Sequence, residues 1–150
     1  MKSQTSNKKN CMSAIKKVYL IDDDEINNFI CTNILKKIDF SDEVIAFESG
    51  AEALTALKGA LDSGEEDQIP EVIFLDINMP IMNGWDFLEE YLPLKQLINK
   101  DVSLFMLSSS IYQADVEKSK QYTEVLDFVT KPLNADILNE IKKEHFPTAS

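Results

Sequence analysis

Five short apolar runs, separated by longer stretches of helical period, constrain this chain more than any other feature. The runs occupy residues 17–21, 43–47, 71–75, 102–107 and 125–129. Most are apolar at consecutive rather than alternate positions, the pattern of strands covered on both faces. Between them Ile26, Phe29, Ile30, Ile34 and Ile38 recur at helical spacing, as do Leu54, Leu57 and Leu61, then Trp85, Leu88 and Leu92, and finally Ile137, Leu138 and Ile141. Each set predicts one helix stripe facing a sheet. The segment 111–122 is the weakest, with Ile111, Ala114 and either Val116 or Tyr122 as its apolar anchors, and it predicts a mobile fourth helix. Parallel strands need crossover helices, and those crossovers are right-handed, so five such units predict a doubly wound α/β fold with five helices. The stretch 59–70 is the longest loop candidate.

At 150 residues and 44% hydrophobic side chains, the chain has the size of one domain with its own core. Residues 1–14 are polar and lysine-rich and are read as a flexible tail, leaving 15–147 as the domain. Cys11 and Cys31 form no CxxC pattern and have no neighbouring histidine, which argues against a disulfide framework or a zinc site. The single histidine, His145, lies near the C-terminus and leaves no hydrolase triad to build. All 15 basic residues are lysines. Without arginine there is no bidentate clamp on phosphate or guanine, and a net charge of −11 repels nucleic acid. The apolar run at 18–21 stops at three aspartates, and no run approaches the roughly 18 residues of a membrane span. Residence in the cytoplasm is the expectation.

In an open parallel sheet, ligands sit beyond the C-terminal ends of the strands. The first run ends in Asp22-Asp23-Asp24, the third in Asp76, the fourth in Ser108-Ser109-Ser110 and the fifth in Lys131-Pro132. Each has an ordinary structural explanation: Asp24 before Glu25 is a helix N-cap, Asp76 with Asn78, Pro80, Asn83 and Gly84 is a turn cluster, and Lys-Pro is a helix boundary. Together, at the ends of separate strands, they suit a divalent cation and a phosphoryl group. Two carboxylates about 4 Å apart repel by about 4 kcal/mol at an effective dielectric of about 20, so Asp22, Asp23 and Asp76 need a positive partner. Lys131 balances one charge. Oxygen-liganded Mg²⁺ accounts for the rest, Mn²⁺ fits the same ligands, and zinc does not.

The motifs LIDDDE (20–25), FLDINMPIMNGWDF (74–87), MLSSS (106–110) and DFVTKPL (127–133) resemble the receiver domains of two-component response regulators, over residues 15 to 146. The resemblance is to the single-domain, chemotaxis-regulator-like kind. It implies the flavodoxin-like strand order 2-1-3-4-5, Asp76 as phosphoacceptor, and Asp22 and Asp23 as the acidic pair that positions magnesium. It further implies direct metal ligation by Asp23, Asp76 and the backbone carbonyl of Asn78. Ser108 takes the place of the family's Thr/Ser, Lys131 of its lysine and Phe128 of its switch aromatic, and the Lys131–Pro132 bond is expected to be cis. Ser109, Ser110 and Pro132 are candidate modulators. The chain departs from the family at Thr123-Glu124, where a Gly-Ala pair is common, and at Ser109, where a small residue is usual.

The function implied is that of a signalling switch, a phosphoacceptor rather than an enzyme in the ordinary sense. Asp76 accepts a phosphoryl group from a sensor histidine kinase or a histidine phosphotransfer protein, and slow hydrolysis removes it. Ser108 and Phe128 then alter the face built by the fourth helix, fifth strand and fifth helix. Two alternatives stay open: an aspartate-nucleophile phosphatase, against which Asn78 stands where a second aspartate is typical, and a degenerate receiver that only binds. With only one helix expected after Lys131, output by docking to a partner is the expectation.

Overall fold

The computed structural model describes residues 15–110 and 112–147, so the expected tail and Ile111 lie outside the described residues. Five parallel strands, β1 (Lys17–Ile21), β2 (Glu43–Phe47), β3 (Val72–Asp76), β4 (Ser103–Ser108) and β5 (Val125–Thr130), form one sheet in the order β2-β1-β3-β4-β5. The crossovers are α1 (Glu25–Lys37), α2 (Gly50–Ser63), α3 (Gly84–Lys95) and α4 (Gln113–Ser119), and α5 (Ala135–His145) follows β5. This is the doubly wound, flavodoxin-like order expected. Among the described residues, no helix is long and apolar enough to cross a membrane.

The consecutive apolar runs supply two cores from one sheet, because successive side chains on a strand point to opposite faces. Tyr19 and Ile21 of β1 join Ile73, Leu75, Leu104 and Met106 under α2 and α3, whereas Val18 and Leu20 join Phe74, Phe105 and Leu107 under α1 and α5. Every residue of β1 and β3 is buried. The edge strands differ from expectation: β2 has no buried residue and β5 has one, since each lacks a neighbour on one side. Register pairs Ile21 with both Phe47 and Leu75, and Asp76 with Leu107, which levels the strand ends that carry the polar residues.

Local chemistry sets the helix boundaries. Asp24 caps α1, its carboxylate accepting from the N–H groups of Ile26 and Asn27. Ser49 caps α2, Asn134 caps α5, and Asn83 with Asp86 closes a reciprocal capping box on α3. α2 ends at Gly64 with φ of 73°, so residues 59–63 are helical and the expected loop is shortened to 64–71, interrupted by a 3₁₀ turn at Glu66–Gln68.

The stripe expected on α1 is the main correction. Asn28, Cys31 and Leu35 face the sheet, Ile34 and Ile38 are half-buried, and Ile26, Phe29 and Ile30 are 70%, 69% and 49% exposed. The physical reason is Asn28, whose amide donates to the carbonyls of Asp22 (2.8 Å) and Phe47 (3.4 Å) at the ends of β1 and β2. Those bonds turn the first half of the helix so that its most apolar side faces outward. Helical spacing reveals a stripe but not which of two competing stripes is seated.

Candidate functional site

The acidic residues after β1 separate into three roles. Asp22 is fully buried and saturated: Oδ1 accepts from the Asp24 N–H at 2.9 Å, and Oδ2 accepts from the Asn27 side-chain amide at 2.7 Å and from Lys131 Nζ at 2.9 Å. Asp24 is the helix cap. Asp23 is exposed and makes no hydrogen bond or ion pair with the described residues.

Asp76 ends β3 and is buried. Its Oδ1 accepts a long hydrogen bond from the Asn78 N–H at 3.4 Å and lies 3.5 Å from Lys131 Nζ, while no donor among the described residues reaches Oδ2. One oxygen of each of Asp22, Asp23 and Asp76 falls within 4.8 Å of the others. Burial and the charge of Asp22 push the Asp76 carboxyl up to about 6, with Lys131 and the Asn78 N–H acting in the opposite direction. For Lys131, burial favours the neutral amine, but the hydrogen bond and charge of Asp22, joined by Asp76, prevail and hold the ammonium above its ordinary value.

The donor set fits a hard divalent cation. Its atoms are all oxygens, it carries excess negative charge, and the two carboxylates with open oxygens, Asp23 and Asp76, sit beside a third that Lys131 already holds. Among the described residues no cysteine or histidine belongs to the cluster.

The remaining expected residues are brought to the same rim. Ser108 ends β4 and is buried, and its hydroxyl donates to the Ser110 carbonyl instead of facing Asp76. Ser109 and Ser110 are exposed. Lys131 follows β5, its N–H donating to the Ser108 carbonyl at 2.9 Å, and the Lys131–Pro132 peptide is cis. Phe128 sits further down β5, opposite Met106, and packs into the core edge-on to Trp85.

Three features were not anticipated from the sequence. Asn27, five residues after Asp22, ties the first turn of α1 to the acidic pair. Trp85, expected to be a simple core anchor, also contacts residues of α4. Ile81, in the loop after β3, is fully exposed with φ of 70°, in a tight turn closed by the Met82 N–H on the Pro80 carbonyl at 2.7 Å. A β-branched residue there stores about 1–3 kcal/mol of strain.

The sequence matches the response regulator receiver domain family over residues 18–142. A two-component response regulator structure from Cytophaga hutchinsonii superposes with a TM-score of 0.76 at 33% identity, covering 87% of this chain and 96% of that one. The receiver domain of the Arabidopsis thaliana histidine kinase CKI1, solved with Mg²⁺ and BeF₃⁻, superposes with a TM-score of 0.70 at 26% identity, covering 86% of this chain and 91% of that one. The chemotaxis protein CheY of Listeria monocytogenes is 30% identical across 85% of this chain and 96% of its own length. The sensor histidine kinase CheAY of Helicobacter pylori is 26% identical across 84% of this chain, which spans only 14% of that protein. The histidine kinase CKI1 is likewise spanned to only 12% of its length.

Proposed function

The chain belongs to the response regulator receiver domain family, and on that premise we propose that Asp76 accepts a phosphoryl group from a phosphohistidine of a sensor histidine kinase or a histidine phosphotransfer protein. The observation that carries this reading is the inequality of three neighbouring carboxylates. Asp22 is consumed by Lys131, Asn27 and the Asp24 N–H, whereas Asp23 and the outer oxygen of Asp76 are left open. Residues 15–147 constitute the receiver in this reading, supported by the near full-length match to Listeria CheY.

Asp23, Asp76 and the Asn78 carbonyl would hold Mg²⁺, or Mn²⁺ in its place, with Asp22 fixed beside them by Lys131. When bound, the ion neutralises charge on the oxygens of the transferring group. Above a pH of about 6, Asp76 is ionised and a carboxylate oxygen attacks phosphorus in line. An O–P bond forms as the P–N bond of the phosphohistidine breaks, and the electron pair leaves with the imidazole nitrogen. Lys131, already 3.5 Å from Asp76 Oδ1, moves onto a phosphoryl oxygen. Ser108 gives up its bond to the Ser110 carbonyl to do the same, and Phe128 follows it. Attack by water on phosphorus later breaks the O–P bond and restores the carboxylate. Ser109, Ser110 and Pro132, at the mouth, modulate the access of that water.

The rim also suits a protein donor. An imidazole side chain is short, so the surface that carries it has to cover the segments leading out of the site. Two of those segments present apolar side chains to solvent: Ile26, Phe29 and Ile30 on α1, tied to Asp22 through Asn27, and Ile81 after β3. The test is intact mass after incubation with a small acyl phosphate and Mg²⁺. The wild-type chain gains one phosphoryl group, chelation of the metal prevents it, and Asp76→Asn gains none. Equal labelling of Asp76→Asn contradicts the assignment.

A further inference from the structure

The segment around α4 is the least anchored part of the fold. α4 has seven residues, none of them buried, and its N-cap Tyr112 provides no side-chain hydrogen bond. What ties it inward comes from another helix. Trp85, in the first turn of α3 and only 7% exposed, donates its indole N–H to Asp115 Oδ1 at 3.4 Å. Lys118 Nζ stands 5.3 Å from the centroid of the same indole. Beyond α4, the Tyr122 ring lies 5.6 Å from the indole and its hydroxyl donates to Glu89 of α3.

The indole also faces the other way. Its ring meets Phe128 of β5 edge-on, with centroids 6.5 Å apart and planes at 61°. The residue before it is seated on the phosphoacceptor strand. The Gly84 N–H donates to the Ile77 carbonyl at 2.8 Å, and a Cβ at Gly84 would lie 3.0 Å from both the Asp76 carbonyl oxygen and Ile77 Cα. The first turn of α3 therefore cannot stand off from Asp76, while the ring it carries touches Phe128 on one side and α4 on the other.

We propose that Trp85 is a positioning residue that couples the Asp76 site to α4, an inference that rests on Asp76 being the phosphoacceptor and Phe128 the mobile aromatic. An inward shift of Phe128 meets the indole edge, and a displaced indole breaks the Asp115 and Lys118 contacts together. α4 has no buried side chain of its own to hold it once they are lost. The coupling is physical because one packed ring is shared by two elements, so their positions are not independent.

Trp85 is the sole tryptophan of the chain, so indole emission reports on the surroundings of this one ring. The experiment uses the full chain with and without Mg²⁺ and acetyl phosphate. It reads intact mass for uptake, indole emission, and amide hydrogen exchange across 113–119. In the resting protein, Trp85→Leu speeds exchange across 113–119 by about 10-fold, the sum expected for a hydrogen bond and a cation–π contact, and changes β1 and β3 less. On phosphorylation the wild type changes both emission and exchange. Trp85→Leu takes up the phosphoryl group, but its 113–119 exchange no longer responds. A merely structural tryptophan predicts loosening of α3 and the sheet with the phosphorylation response kept.

If Trp85→Leu does not fold, Asp115→Ala removes the hydrogen bond from the surface side and is compared in the same way. The proposal is overturned if resting exchange across 113–119 is unchanged, if the variant keeps the wild-type response, or if the phosphorylated wild type shows no response. Absence of uptake by the wild type is a different failure. It overturns Asp76 as phosphoacceptor and the coupling with it, while the resting exchange still decides whether Trp85 holds α4.

Discussion

The two ends of β1 carry similar side chains and opposite arrangements. At the N-terminal end, Glu71 accepts from the N–H groups of Lys16 and Lys17 through Oε1 and from Lys100 Nζ through Oε2, while buried Lys17 reaches Glu43 Oε1 at 3.3 Å and Gln68 Oε1 at 2.9 Å. Two carboxylates meet two ammonium groups, and the network is closed. At the C-terminal end, Asp22, Asp23 and Asp76 are gathered together, and among the described residues one ammonium, that of Lys131, contacts two of them, Asp22 and Asp76. Buried charges are tolerated where they are matched. The matched end holds the strands together, and the unmatched end carries the excess negative charge on which the proposed cation site rests.

The largest expected effect that would break this contrast is at Lys131. Lys131→Met removes the only ammonium among the described residues that contacts the acids, and the rate of labelling by a small acyl phosphate falls by about 10²–10³, as for loss of one electrostatic stabiliser. A rate within a factor of about two of wild type would show that the lysine takes no part in the transfer. At the other end, Glu71→Ala leaves the N–H groups of Lys16 and Lys17 and the ammonium of Lys100 without their shared acceptor. It costs about 2–3 kcal/mol in urea denaturation yet leaves labelling unchanged. Loss of labelling in the folded variant would mean that the two ends are not separable.

A subtler effect sharpens the comparison through pH. In the metal-free fold the Asp76 carboxyl sits at about 6, above its ordinary 3.8, so between those values the native state binds a proton that the unfolded chain has released. This contribution therefore lowers stability as pH rises from about 4 to about 6, by up to about 3 kcal/mol, and is constant outside that window. Urea titrations in chelator across this range show the slope in the wild type and lose it in Asp76→Asn. Mg²⁺ affinity falls in the same range as pH drops, because the ion competes with that proton. The smallest effect is at the exposed turn. Ile81→Gly relieves the positive φ and raises stability by about 1 kcal/mol in the same denaturation assay.

The parallel sheet and the membership of the rim were legible because consecutive apolar runs are rare outside parallel sheets and the polar residues follow them directly, whereas the strand order came from the family resemblance that the motifs carry. Asp22, Asp76, Ser108 and Lys131 were each placed by where a run stops. The seating of α1 was not legible, since Ile26, Phe29 and Ile30 give a better stripe than Asn28, Cys31 and Leu35, and only the hydrogen bonds of Asn28 to two strand ends decide between them. The limits of the loop at 59–70 were missed because the apolar seat of Ala60 continues α2, and Gly64 supplies the left-handed stop. The double contact of Trp85 was out of reach because it depends on residues distant in sequence that meet only once the layers are packed, whereas Asn27 reaches back only five residues to Asp22 and was missed because helical spacing does not mark which polar side chain of the first turn does so.

The most direct test of the charge imbalance is the urea midpoint of wild type and Asp76→Asn at neutral pH, each in chelator and in Mg²⁺. The prediction is a reversal of order. In chelator, Asp76→Asn is the more stable protein by about 1–2 kcal/mol, because one repelling carboxylate is gone. In Mg²⁺ the wild type gains and the variant gains little. A variant that is less stable than wild type in chelator, or that gains as much from Mg²⁺, would contradict the claim that this end of the sheet is built around an uncompensated charge.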